Sequence, residues 1–159
     1  MDDRALLRHT LATLAYRAAK AVRDAPDGFE HYRASPTTRT PAQILAHMGD
    51  LMDWGLAMSR SKPVFHVSEP LPWAQEVERF FAALRAWDDY VASGEPLAAP
   101  PAKIFQGPVA DALTHTGQIN LLRRMAGGPV RGESYFRAAI AIGQTGAEQP
   151  PPTPGSEFD

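Results

Sequence analysis

Four long stretches of the chain place their apolar side chains three and four positions apart, and nothing between them alternates as a strand does, so the pattern predicts an all-α fold. In the first, from about Asp3 to Asp24, Leu7, Leu11, Leu14, Ala18 and Val22 share a face, while Arg8, Arg17, Lys20 and Arg23 fall largely elsewhere. The second opens with Thr40-Pro41-Ala42-Gln43. Thr40 is placed to cap, the ring of Pro41 presets φ for the first helical position, and Gln43 closes a capping box. Ile44, Met48, Leu51, Trp54 and Met58 continue that face towards Arg60, before Lys62-Pro63. The third begins at Pro72, carries Trp73, Val77, Phe80, Phe81, Leu84, Trp87 and Val91, and stops at Ser93-Gly94. The fourth begins at Gly107-Pro108 and runs through Val109, Ala112, His115, Ile119 and Leu122 to Gly127-Gly128-Pro129. Arg123 and Arg124 complement the helix dipole in its last turn.

Four such helices, each roughly 30 Å long, enclose one core as a four-helix bundle. The connections are longer than the two to about eight residues usual in bundles, which permits crossovers and lets loops cover one end. Residues 1–142 form one domain in this reading, with Glu133 to Ile142 extended or as a short helix along the bundle. Residues 143–159 form a Pro/Gly-rich tail, expected to be mobile or loosely docked.

A length of 159 residues suits one domain with a real core, and 44% hydrophobic with 21% charged residues is the composition of a soluble globular protein. The net charge of −2 advertises neither nucleic acid nor anionic lipid as a partner. There is no apolar run long enough for a membrane span and no secretory pattern after Met1, so a cytoplasmic location is expected. The chain contains no cysteine, which removes disulfides, thiolate nucleophiles, iron–sulfur clusters and Cys-type zinc sites. Gly-rich phosphate loops, Gly-x-Ser-x-Gly elbows and His-Glu-x-x-His motifs are missing too.

Chemistry must then come from other side chains, and two of the five histidines share a setting. His47 lies three residues after Ile44 and four before Leu51; His115 lies three after Ala112 and four before Ile119. Both therefore turn towards the core. An imidazole fills a dry core poorly, because both ring nitrogens need partners. A divalent cation shared between the two helices would satisfy both; a backbone carbonyl or water at a wet edge would satisfy each separately.

Asp111, one turn before His115, is the candidate third ligand, and Asp50, one turn after His47, is its rival. Asp50 and Asp53 also fit a solvated helix edge. Two histidines and one carboxylate with open positions suit zinc, nickel, iron or manganese. Gln118, one turn beyond His115, is placed to orient a ligand from behind or to sit at the helix boundary. Trp54, Trp73, Phe80, Phe81 and Trp87 are expected in packing ahead of any pocket. Tyr135 and Arg137 follow the Gly-Gly-Pro break, and folding back over the bundle end would let Arg137 clamp an anion. His9, His31 and His66 have no periodic partner.

The stretch Thr40-Pro41-Ala42-Gln43-Ile44-Leu45-Ala46-His47-Met48 resembles the second helix of the DinB-like superfamily, and Asp111-Ala112-Leu113-Thr114-His115-Thr116-Gly117-Gln118-Ile119 resembles its other hallmark, a His shortly before Gly-Gln in the last helix. The resemblance spans about residues 3 to 140 and implies a four-helix bundle with a metal-binding triad near one end, often in a homodimer. Many members draw one His from helix two and two from helix four, spaced four apart. His47 and His115 match; Asp111 stands where the other His would be. That departure either keeps the site as two His and a carboxylate or marks its degeneration. Relatives with assigned activities include thiol transferases using bacillithiol or mycothiol and a mycothiol-dependent isomerase, in which a cation lowers the thiol pKa and holds it beside an electrophile. The resemblance thus implies a divalent-metal-dependent thiol transferase acting on a small-molecule thiol and an electrophile. The alternative is a non-catalytic bundle that binds a ligand or partner.

Overall fold

The computed structural model describes residues 2–158. These residues contain four long helices and one two-stranded ribbon, so the architecture is all-α. Helix α1 spans Asp3–Val22, and Asp2 caps it by accepting a hydrogen bond from the Ala5 N–H at 2.7 Å. A 3₁₀ turn at Phe29–His31 follows, and then α2, Pro41–Ser59, which opens on the capping box expected of Thr40 and Gln43. Its far end is a Schellman turn: the Lys62 N–H reaches back to the Ala57 carbonyl across Ser61, which takes φ 68°. Helix α3 spans Trp73–Ala92 behind Pro72, and Gly94 takes φ 83° beyond its end.

The fourth helix starts earlier than Gly107-Pro108. A one-turn helix α4, Pro101–Ile104, runs into a π-helical turn at Phe105–Val109 and then into α5, Ala110–Met125. Pro108 explains the turn: it has no N–H to donate, and its ring crowds the carbonyl four residues back, so the helix widens there. The Ala110 N–H accordingly reaches the Phe105 carbonyl five residues earlier. The Gly127-Gly128 stop is present as a second Schellman turn, with Gly127 at φ 82° and the Gly128 N–H on the Arg123 carbonyl.

Helix α1 packs on α3 and α5, and α2 packs on the same two. Leu11, Leu14, Leu45, Met48, Phe80, Leu84, Trp87, Ile104 and Ile119 fill the space between them. The α2–α3 contact is close because Gly55 has no side chain: a Cβ there would lie 2.3 Å from the Trp87 ring. The Trp87 indole N–H donates to Ser59 Oγ, which itself donates to the Gly55 carbonyl. Arg123 lies in the last turn of α5, as expected, and also closes the end of α1. Its guanidinium donates to the carbonyls of Ala21, Arg23 and Asp24 as well as Gly128.

The chain after α5 returns along α1. Strand β1, Gly132–Glu133, pairs antiparallel with β2, Glu157–Phe158, and a 3₁₀ turn covers Tyr135–Arg137. The buried Glu133 accepts from the Tyr16 hydroxyl at 2.7 Å and from Lys20 Nζ at 2.6 Å, and Lys20 reaches Glu157 at 2.7 Å. Within the segment read as a mobile or loosely docked tail, Thr145 and Ser156 are buried, and Thr153 donates to the Arg137 carbonyl. No helix among the described residues is long and apolar enough to cross a membrane.

Candidate metal centre

Helices α2 and α5 bring His47, Asp111 and His115 to one point. His47 stands two turns into α2, where the capping box fixes the start and therefore the phase of the helix. Asp111 lies in the first turn of α5, with His115 one turn later on the same face. The Asp111 carboxylate sits between the two rings, Oδ2 being 3.3 Å from His47 Nε2 and Oδ1 3.4 Å from His115 Nε2. The rings stand nearly perpendicular, their centroids 4.8 Å apart. One ligand atom from each residue lies within 4.8 Å of the other two. The His115 side chain is 11% exposed, that of His47 23% and that of Asp111 47%, so one side of the group opens to solvent.

Gln118 sets the tautomer of His115. Its Oε1 lies 2.8 Å from His115 Nδ1. An amide oxygen only accepts, so in this contact Nδ1 donates, and Nε2 is the ring nitrogen that faces the centre. This is the partner arrangement that histidine ligands use, one nitrogen anchored from behind and the other facing the ion. Two imidazole nitrogens and a carboxylate oxygen, converging with an open side, form a group that could hold a divalent metal ion.

Asp50, the rival ligand, is engaged elsewhere. It is buried and accepts from both the Ser68 N–H and the Ser68 hydroxyl, at 2.9 and 2.7 Å, and from the Arg79 guanidinium. Burial pushes its carboxyl up, but the Ser68 hydrogen bonds and Arg79 outweigh this and hold it below its ordinary value. Arg79 also reaches Asp53 and the buried Glu76. Burial works against the Arg79 charge, yet Asp50 and Glu76 outweigh it and raise its pKa. The three acids answer one guanidinium from α3, and the sequence pattern of α2 alone gives no sign of it.

Arg137 is not at the centre: it donates to the carbonyls of Gly155 and Pro154. Tyr135 packs edge-on to Tyr16 beneath Arg17. Phe80, Phe81 and Trp87 are core, and Trp54 and Trp73 are half-buried and packed against it, as expected. Trp54 meets Phe65 from the α2–α3 connection, and Phe65 in turn meets the edge of His47 at 5.9 Å between ring centroids. Phe65 reaches the centre from a connection, where periodicity carries no signal.

Two cavities flank the triad. One of about 440 Å³ opens on His115 and Gln118 between Ile44, Leu121 and Met125. The other, of about 300 Å³, opens on His47 and is bordered by Gln43, Asp50, Ser68 and Glu69. Arg39 borders both. Compared with protein-family models, curated proteins and solved structures, the chain matches none.

Proposed function

We propose that the protein is a DinB-like four-helix bundle in which His47, Asp111 and His115 hold a divalent cation, and that it transfers a small-molecule thiol to an electrophile. The observation that carries this reading is the convergence of three ligand atoms from two helices within 4.8 Å, backed by the Gln118 contact that aims His115 Nε2 at the shared point. A bound cation supplies the charge that lowers a thiol pKa and fixes the sulfur beside its target. The chain supplies the rest. His47 and His115 offer ring nitrogens, Asp111 adds a compensating negative charge, and Phe65 packs against the edge of the His47 ring. In the reaction the thiol gives its proton to water, its sulfur bonds to an electrophilic carbon, and the leaving group departs with the electron pair of the broken bond. A chain without cysteine fits this scheme, since the nucleophilic sulfur belongs to the co-substrate.

Elemental mass spectrometry of the purified protein beside His47→Ala and His115→Ala tests the centre. The expected result is near-stoichiometric zinc, nickel, iron or manganese in the parent and its loss from both variants. A parent that takes up none of these after incubation refutes the reading. With metal in hand, a panel of electrophiles and thiols tests the transfer.

One observation favours a second reading. Asp111 lies 3.3 and 3.4 Å from the two imidazoles, and ring N–H groups donating to it would make a purely structural clasp in a non-catalytic ligand- or partner-binding bundle. That clasp would fail in His115→Ala as a loss of stability; unchanged stability with lost turnover would exclude it.

A further inference from the structure

We propose that the cavity beside His115 binds a small carboxylic acid with an apolar body, and that Arg39 holds its carboxylate. As the electrophile subsite of a transferase it rests on the reading above, whereas the binding itself needs no metal, so the two can fail separately.

Arg39 is exposed at the position just before the Thr40 cap. The backbone leading to it is pinned: Thr38 Oγ1 donates to the Ser35 carbonyl, and the Arg33 guanidinium donates to the Thr38 carbonyl. Its own guanidinium has no hydrogen-bond or ion-pair partner among the described residues. Most of the other arginines answer a carboxylate, a carbonyl or an aromatic ring, as Arg8, Arg17, Arg60, Arg79 and Arg123 do. An unanswered guanidinium on a pinned backbone at the rim of a cavity is a ready fork for a carboxylate.

The cavity decides what the carboxylate is attached to. Ile44, Leu121, Leu122 and Met125 make an apolar wall, with Leu121 57% and Met125 51% exposed along it. Most polar atoms on the wall are engaged, the Gln118 amide NH2 being left as a neutral donor. Gln118 Oε1 accepts from His115, and Thr38 Oγ1 donates within its own turn. Arg39 is therefore the one permanent charge on this lining. A single cation over an apolar floor matches a monoanion with a hydrocarbon body. A phosphate, with twice the charge and more acceptors, would lack donors here. The volume of about 440 Å³ lies within the range of roughly 300–1,000 Å³ common to small-molecule sites. The cavity on the His47 side is mixed, with Gln43, Ser68 and Glu69 beside Phe65 and Val67, and is left for a more hydrophilic co-substrate.

Octanoate is a suitable probe, with octanamide and octylamine as neutral and cationic controls. Each is titrated into the full chain, metal-free and after zinc incubation, and followed by two-dimensional NMR of backbone amides and methyl groups. Octanoate should shift signals of Ile44, Leu121 and Met125 and should bind at least about tenfold tighter than octanamide, as expected when a charge-assisted hydrogen bond is lost. Arg39→Gln should reduce octanoate to the octanamide level, and Arg39→Lys should restore part of the difference. Thermal melts of both variants should match the parent, because Arg39 holds nothing in the fold. Equal binding of octanoate and octanamide, unchanged octanoate binding in Arg39→Gln, or shifts confined to the apolar groove at Leu6 and Phe105 would each overturn the proposal. Octanoate binding in a protein that takes up no metal sustains it while refuting the metal reading. Metal uptake without octanoate binding does the reverse.

Discussion

Two glycines inside helices separate backbone propensity from packing. Replacing a mid-helix Gly by Ala is worth about 1 kcal/mol in favour of the helix when the new methyl meets nothing. Gly117 in α5 is such a site, since a Cβ there finds no atom within 4 Å. At Gly55 in α2 the same methyl would lie 2.3 Å from Cη2 of Trp87 and 2.5 Å from Cζ2 and Cζ3. Trp87 is fully buried and tied to Ser59 through its indole N–H, so the ring cannot retreat without breaking that bond. Overpacking of about 1–3 kcal/mol plus about 1 kcal/mol for the hydrogen bond outweighs the propensity gain, leaving Gly55→Ala destabilised by about 2 kcal/mol. For a chain of this length that is a fall in Tm of about 4–8 °C, against a rise of about 2–4 °C for Gly117→Ala. Calorimetry or circular dichroism melts of both variants beside the parent read the difference directly. A Gly55→Ala protein as stable as Gly117→Ala would refute the claim that α2 and α3 meet across Gly55.

Other outcomes follow from single contacts. Gln118→Leu should lower metal affinity by about 10–100-fold by releasing the His115 tautomer, measured by competition with a chelating dye. Arg123→Ala strips a guanidinium from carbonyls at the end of α1 and should cost about 3 kcal/mol or more in denaturant unfolding. Asp50 and Glu157 both titrate below their ordinary values, Asp50 because Ser68 and Arg79 outweigh its burial, Glu157 chiefly because Lys20 donates to it. A depressed carboxyl contributes stability above its unfolded pKa, near 4, and loses it as pH falls through the folded value. Acid melts should therefore lose stability below about pH 4, and Asp50→Asn should flatten part of that slope. A parent equally stable at pH 6 and pH 3 would contradict both contacts. Glu133→Gln leaves Lys20 with less charge compensation and should speed amide exchange in Gly132 and Phe158 before the helices.

The helices were legible because their signals are local. Thr40 and Gln43 specify a capping box within four residues, and Gly127-Gly128 specifies a stop within two, so both occur where the sequence places them. Pro108 misleads for a physical reason: a proline reads as a first turn, yet a π turn tolerates one inside a helix. The inward phases of His47 and His115 follow from the same periodicity, and Asp111 follows from His115 by one turn. What completes the surroundings comes from afar in sequence. Arg79 on α3 claims Asp50, while Arg39 and Phe65 arrive from connections, and no spacing within one helix encodes a meeting between two elements. The path of the tail escaped for a similar reason, since its anchors Tyr16 and Lys20 lie at the other end of the chain.

The π turn at Phe105–Val109 has a consequence for how this chain can vary. A helix advances roughly 100° per residue, so one extra residue in a turn puts everything before it out of phase with everything after it. Ile104 and Val109, five apart, both end fully buried across this slip. Downstream, α5 is clamped by the Gly127 turn and by the reach of Arg123 to α1, so any change of length near Phe105 must be absorbed upstream, by α4 and the connection from α3. The turn works as a phase clutch: residues can be gained or lost before it while Asp111 and His115 keep facing His47.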